Sequence, residues 1–175
     1  MKKIIVIGCP GSGKSTFARA LHHKMGIPIC HLDMLFWNAD KTAVEKSVFR
    51  ERLTRVLEMN AWIIDGNYAS TMEIRMAACD TVFFLDYPTD VCLAGVKARI
   101  GKPRGDMPWI ESEEDAEFIG FIKTFRKEQR PEILALLDKY SDKNIVVFKS
   151  RADGDAFLKK EFDYKGENKN GTLNR

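Results

Sequence analysis

The 175-residue chain has no cysteine pair spaced as CxxC, and its four cysteines and three histidines form no zinc-type pattern. That sets aside a structural zinc module and a disulfide-stapled scaffold. Cys9, Cys30, Cys79 and Cys92 read instead as reduced thiols of a cytoplasmic protein. No apolar run comes near the ~20 residues that a membrane span needs. The basic start, Lys2-Lys3, leads only into Ile4-Ile5-Val6-Ile7 before Gly8 ends the run, which reads as a buried strand rather than a targeting segment. Charge of one sign is also scarce: 28 Lys and Arg stand against 25 Asp and Glu, for a formal net charge of +3. There is no long basic stripe, helix-turn-helix pattern or zinc finger, so direct DNA contact is not expected. No repeat and no linker divides the chain. It reads as one domain over residues 1–162, followed by a Gly/Asn/Lys-rich tail over 163–175 that is expected to be disordered. Composition leaves the assembly open between monomer and homodimer.

Short β-rich runs alternate with amphipathic stretches. Strands are expected over residues 3–7, 28–31, 61–65, 81–86 and 144–148. Helices are expected over 14–25, 44–59, 72–78, 91–100, most of 113–140 with a break near Pro131, and 153–161. Thr89 or Asp90 is a plausible cap for the helix that follows Pro88. This alternation implies an α/β protein with a parallel sheet covered on both faces. The unbroken apolar runs Ile4 to Ile7 and Val82 to Leu85 suit strands buried on both sides.

Between the first strand and the first helix stands Gly8-Cys9-Pro10-Gly11-Ser12-Gly13-Lys14-Ser15, which meets GxxxxGK[ST] at every fixed position. Gly8, Gly11 and Gly13 permit backbone torsions that let the loop amides turn inward as an anion nest. The helix that follows adds its free N–H groups and dipole. Lys14 is expected to reach the β- and γ-phosphates of ATP and Ser15 to ligate Mg²⁺. Pro10, Ser12 and Thr16 complete the nucleotide-binding set.

Ligands of open parallel sheets gather at the carboxyl ends of the strands. Asp33 follows the second strand in His31-Leu32-Asp33, where it could orient an acceptor hydroxyl and take its proton; an ordinary loop or cap aspartate is the alternative. Asp65 ends the third strand and Asp86 the fourth, so both are candidates to support the metal, with Asp65 preferred. Gly66, Asn67 and Tyr68 follow Asp65 on the same rim as candidate acceptor-binding residues. Arg75 could clamp an acidic acceptor or lie solvated at the surface. Met34, Leu35, Phe36 and Trp37 either line an acceptor pocket or belong to the core.

The segment over residues 99–130 surrounds a Gly/Pro-rich turn with Arg99, Lys102, Arg104, Arg126, Lys127 and Arg130, and reads as a helical lid. Arg126 and Arg130, four apart, share a helix face and are expected to meet the triphosphate. Lys149-Ser150-Arg151, after the last strand, could pack on the adenine base or be an ordinary loop; Lys149 is the candidate contact.

The phosphate loop, His31-Leu32-Asp33, Asp65-Gly66-Asn67-Tyr68, Gly101-Lys102-Pro103-Arg104-Gly105-Asp106-Met107-Pro108 and Val147-Phe148-Lys149-Ser150 together resemble the adenylate kinase-like P-loop proteins of the DNA topology modulation (FlaR-like) group, over roughly residues 1–160. The resemblance implies a three-layer α/β/α fold with a five-stranded parallel sheet in the order 2-3-1-4-5. The placement of Asp33 is also similar to shikimate and gluconate kinases, where the matching carboxylate contacts the acceptor hydroxyl. Asp65-Gly66 looks like the Asp-Gly of adenylate kinases. The arginine that follows there is replaced by Asn67-Tyr68, which counts against AMP as acceptor. The glycine-rich acceptor loop of shikimate kinases is absent as well, which counts against shikimate. The expectation is an ATP- and Mg²⁺-dependent kinase acting on a small hydroxylated metabolite, nucleoside or nucleotide. The alternatives are a nucleotide-dependent regulator of DNA topology and a plain NTPase.

Overall fold

The computed structural model describes residues 1–167. Strand β1 (Lys3–Gly8) is the centre of a five-stranded sheet in which every pairing is parallel. The others are β2 (Ile29–His31), β3 (Trp62–Asp65), β4 (Thr81–Leu85) and β5 (Asn144–Phe148), in the order β2-β3-β1-β4-β5. Successive strand residues point to opposite faces. Ile4, Ile5, Val6 and Ile7 are all fully buried, so both faces of β1 are covered. Each such side chain contributes about 1.5–3 kcal/mol of burial. Phe17 of α1 (Lys14–Met25) meets Phe83 and Phe148 at ring-centroid distances of 5.1 and 5.4 Å, which locks this helix onto β4 and β5. The arrangement is a three-layer α/β/α sandwich.

Local chemistry sets the helix ends. Gly13, at φ 95°, opens α1, and Gly26, at φ 69°, closes it with its N–H on the His22 carbonyl. Helix α2 (Leu32–Phe36) follows β2 at once and carries Asp33. Its sequence reads only as a loop or an apolar stretch, and Trp37 N–H to Asp33 O closes its single turn. Then come α3 (Lys46–Leu57), α4 (Ala69–Ala78) and α5 (Thr89–Lys97). Pro88 occupies the cap of α5 without a side-chain bond, so neither Thr89 nor Asp90 caps it. The Asp115 carboxylate accepts the N–H groups of Glu117 and Phe118 and starts α6 (Ala116–Glu128). Gln129 separates it from α7 (Arg130–Lys139), which places the expected break. Helix α8 (Arg151–Glu167) opens with a reciprocal cap between Ser150 and Asp153. Its backbone continues through 163–167, the start of the segment read as a tail. Residues 168–175 lie outside the described residues.

The register places the functional rim. His31 lies beside Asp65 across β2 and β3, and Val6 lies beside Asp65 across β1 and β3. Gly8 lies beside Leu85, which pairs with Phe148. The phosphate loop therefore rises from the middle of the rim, with Asp33 and Asp65 on one side and Asp86 and Lys149 on the other.

Candidate functional site

The phosphate loop is pressed against the middle and last turn of α5. A Cβ on Gly11, at φ 80°, would sit 2.0 Å from the Cys92 carbonyl oxygen, and one on Gly95 would sit 2.0 Å from the Gly11 carbonyl oxygen. Only a pair of glycines allows this approach. Gly95 has no signature in the sequence, where it is simply a helix glycine. The Asn67 amide clamps the loop from the other side. Its Oδ1 accepts the Gly8 N–H at 3.1 Å, and its Nδ2 donates to the Gly8 carbonyl at 2.8 Å. Lys14 Nζ donates to the carbonyls of Gly8 and Cys9 at 3.0 and 3.2 Å. Burial pulls its ammonium below the usual lysine range, while the nearby Asp65 and Asp33 carboxylates oppose that shift. The Ser12 hydroxyl oxygen is buried with no hydrogen-bond partner, an orphan that a phosphate oxygen would satisfy.

Above this loop is a cavity of about 580 Å³ lined by Gly13, Lys14, Ser15 and Thr16. Four arginines border it as well: Arg19, Arg99, Arg104 and Arg151. Arg151 donates to the Gly11 carbonyl at 2.8 Å. It is therefore the residue after β5 that reaches the nucleotide side. Lys149, the sequence candidate, points to Asp86 instead. Asp33, Asp65 and Asp106 supply carboxylates to the same cavity as Ser15. The buried Asp106 of the Gly/Pro-rich turn ties the lid to α1 through Arg19 at 3.2 Å and pairs with Arg104 at 3.2 Å. Burial alone would raise the Asp106 carboxyl. Arg104, a hydrogen bond from Ser15, and Arg19 together hold it below the usual carboxylate range. A nest of backbone amides, an orphaned hydroxyl, cations for phosphate oxygens and carboxylates beside Ser15 suit a nucleoside triphosphate with Mg²⁺.

A second cavity, about 690 Å³, adjoins the first. Lys14, Asp33, Gly66 and Arg99 border both. Asp33 receives a hydrogen bond from the Tyr68 hydroxyl at 2.7 Å. Burial raises the Asp33 carboxyl above its usual range, and the Tyr68 bond and Lys14 partly offset this. Tyr68 has φ 39°, a left-handed conformation rare for a residue with a side chain. The cause is visible beneath it. Arg75, fully buried, donates to the carbonyls of Gly66 at 2.9 Å and Tyr68 at 3.3 Å, and also to that of Asn67. Four donations to carbonyls, counting Thr71, replace solvation for its charge. Burial lowers its pKa to about 10, so it stays cationic at neutral pH. Arg75 is thus not an acceptor clamp. It braces the loop that aims Tyr68 at Asp33 and Asn67 at Gly8. Asp65, buried, accepts from His31 Nδ1 at 2.7 Å, so the metal-side candidate has an orienting partner that the sequence did not single out.

The structure does not bring the remaining candidates to either cavity. Arg130 grips Asp86 with two bonds of 2.8 Å, Arg126 reaches Asp86 at 3.4 Å and the Tyr87 carbonyl at 3.3 Å, and Lys149 Nζ lies 2.6 Å from the same carboxylate. Asp86 sits at the end of β4 as the buried hub of three cations rather than as a metal ligand. Arg126 and Arg130 tie α6 and α7 to that strand end instead of facing the phosphate loop. The residues of this segment that do reach the cavities include Arg99, Arg104, Asp106 and Trp109 from before α6, and Phe118 and Phe121 from α6 itself. Trp109 meets Trp37 edge-on at 5.5 Å, so the stretch after the Gly/Pro-rich turn touches the segment that follows Asp33.

No protein-family model matches the chain, and no curated sequence relative does. Solved structures do. Shikimate kinase from Bacteroides thetaiotaomicron is similar with a TM-score of 0.58 and 19% identity, covering 93% of this chain and 97% of its own. Shikimate kinase from Acinetobacter baumannii in complex with shikimate gives 0.60 and 16%, covering 97% and 96%. Shikimate kinase from Aquifex aeolicus gives 0.53 and 19%, covering 97% and 99%. At this identity the likeness shows the fold alone, over nearly the whole chain, and does not confirm the DNA topology modulation group. Among the described residues no helix is long and apolar enough to cross a membrane.

Proposed function

We propose that the chain is a kinase that transfers the γ-phosphoryl group of ATP, with Mg²⁺, to a hydroxyl of a small molecule. The observation that carries this reading is the junction of the two cavities. Lys14 of the phosphate loop and Asp33 of the acceptor side border both, so a donor phosphate and an acceptor hydroxyl would meet between a cation and a carboxylate. The loop amides, Lys14 and Arg151 would bind the phosphates. Ser15 would hold Mg²⁺, with Asp65 and Asp106 placed to accept from its waters; the ion neutralises phosphate charge when bound. Asp33, its carboxyl raised by burial and held in place by Tyr68, would orient the acceptor hydroxyl and receive its proton at Oδ. The lid turn, closed by the Trp37–Trp109 contact, would keep water from the junction.

Asp33→Asn tests the reading. It should bind ATP within about threefold of the wild type and lose acceptor-dependent ADP release by about 10²-fold or more, the usual worth of a positioned base. Undiminished acceptor turnover in that variant would remove Asp33 from the reaction.

A further inference from the structure

The walls of the acceptor cavity carry information about what fits it. Trp37, Tyr68, Trp109, Phe118 and Phe121 supply aromatic surface on several sides. Trp37 and Trp109 stand 5.5 Å apart with their planes at 85°, making a corner in which a flat ring can lie on one face and against the other's edge. The volume of about 690 Å³ suits a ligand of one or two rings.

Charge narrows the choice further. Five carboxylates line the cavity, Asp33, Glu111, Glu113, Glu114 and Asp115, against the cations Lys14, Lys41 and Arg99. Lys14 is tied to the phosphate loop, and Lys41 is exposed. Arg99 is the one guanidinium on this wall, and Glu111 engages it, Nη2 to Oε1, at 2.7 Å. Arg75, the other candidate on the rim, is buried beneath carbonyls. Among the described residues, a carboxylate or phosphate on the acceptor would find no arginine on this wall free to fork onto it, and it would face Glu113, which makes no hydrogen bond or ion pair there.

We infer that the acceptor is a ring-bearing alcohol carrying no negative charge, its ring held at the Trp37–Trp109 corner and its hydroxyl presented to Asp33. The inference rests on the kinase reading only in calling this ligand an acceptor. A nucleoside has this chemistry. A nucleoside monophosphate or a hydroxylated ring acid does not.

The test uses matched pairs that keep a primary alcohol and differ in one anionic group: cytidine against its 3′-monophosphate, and 3-(hydroxymethyl)benzamide against 3-(hydroxymethyl)benzoate. Binding is read by calorimetry with a saturating non-hydrolysable ATP analogue and Mg²⁺, and transfer is read separately as ADP release from ATP. The neutral member of at least one pair should bind at least about tenfold tighter than its anion, a margin of ~1.4 kcal/mol. Glu111→Gln weakens the hold on Arg99 and Arg104, so it should tighten anion binding and narrow that ratio by about tenfold; a variant that merely loosened this segment would weaken both members alike. Equal or tighter binding of the anions, or no binding of either neutral compound, overturns the inference. Neutral binding without ADP release supports it and tells against the kinase reading instead.

Discussion

The Tyr68 hydroxyl donates to Asp33 Oδ1 at 2.7 Å, from a backbone that Arg75 holds in a left-handed conformation. This bond favours the ionised carboxylate, while burial opposes it. Removing the hydroxyl should therefore raise the Asp33 pKa further. In Tyr68→Phe the acid limb of the acceptor-dependent pH profile should move upward by about 1–2 units, given a bond to a charged group of about 1.5–3 kcal/mol. Activity should fall most on the acid side of the profile, where Asp33 becomes protonated and cannot accept a proton, and recover as pH rises. An acid limb that stays in place would show that Asp33 does not titrate in the rate.

The same burial makes Asp33 a load on the fold. A carboxyl whose folded pKa is raised binds its proton more readily in the folded state, so its contribution to stability falls as pH rises through its titration. Asp33→Asn should melt at or above the wild-type temperature at neutral pH, although it is inactive. A clear drop in melting temperature would make Asp33 a structural residue.

Arg75 is the opposite case. Arg75→Met removes the guanidinium bonds to the Gly66, Asn67 and Tyr68 carbonyls; that of Tyr68 keeps its two bonds from Thr71, while the part-buried Gly66 and Asn67 carbonyls lose theirs. Destabilisation of about 2–4 kcal/mol is expected by urea unfolding. Phosphoryl transfer should suffer through disordered placement of Tyr68, seen as a fall in turnover without selective loss of acidic acceptors. A selective loss of acidic acceptors would restore the clamp role.

Asp86 is lowered in pKa: burial would raise it, but Arg130 and Lys149 outweigh burial. A depressed carboxyl contributes stability that is present above its unfolded pKa and is lost as pH falls through the folded one. Asp86→Asn should cost about 1–2 kcal/mol at neutral pH by removing the anion shared by three partly exposed cations, and should flatten the acid limb of stability below about pH 4. Equal acid sensitivity in variant and wild type would refute the hub.

Much of the frame could be read from residues alone. The phosphate loop and α1 follow from glycine spacing and the adjoining apolar strand. Asp33 and Asp65 follow from the rule that parallel strands present ligands at their carboxyl ends. The spacing of residues 126 and 130 reads as one helix face, but Gln129 ends α6 between them, so the two arginines belong to different helices. That both converge on Asp86, some forty positions away, leaves no local pattern in the sequence. Arg75 was opaque for the same reason: whether an arginine meets solvent, a ligand or buried carbonyls is decided by tertiary closure. Gly95 was hidden because its partner, the Gly11 carbonyl, lies on another element. Trp109 was hidden among breaker residues whose turn geometry, not periodicity, sets its direction.

The most direct measurement is Mg²⁺-dependent ADP release from ATP across a panel of nucleosides, nucleoside monophosphates and small ring alcohols, with Lys14→Ala and Asp33→Asn alongside. The expected result is release that rises with at least one acceptor, forms a phosphorylated product in equal amount, and vanishes in both variants. Release that is the same with and without every acceptor, or that survives Lys14→Ala, would contradict a kinase built on this junction.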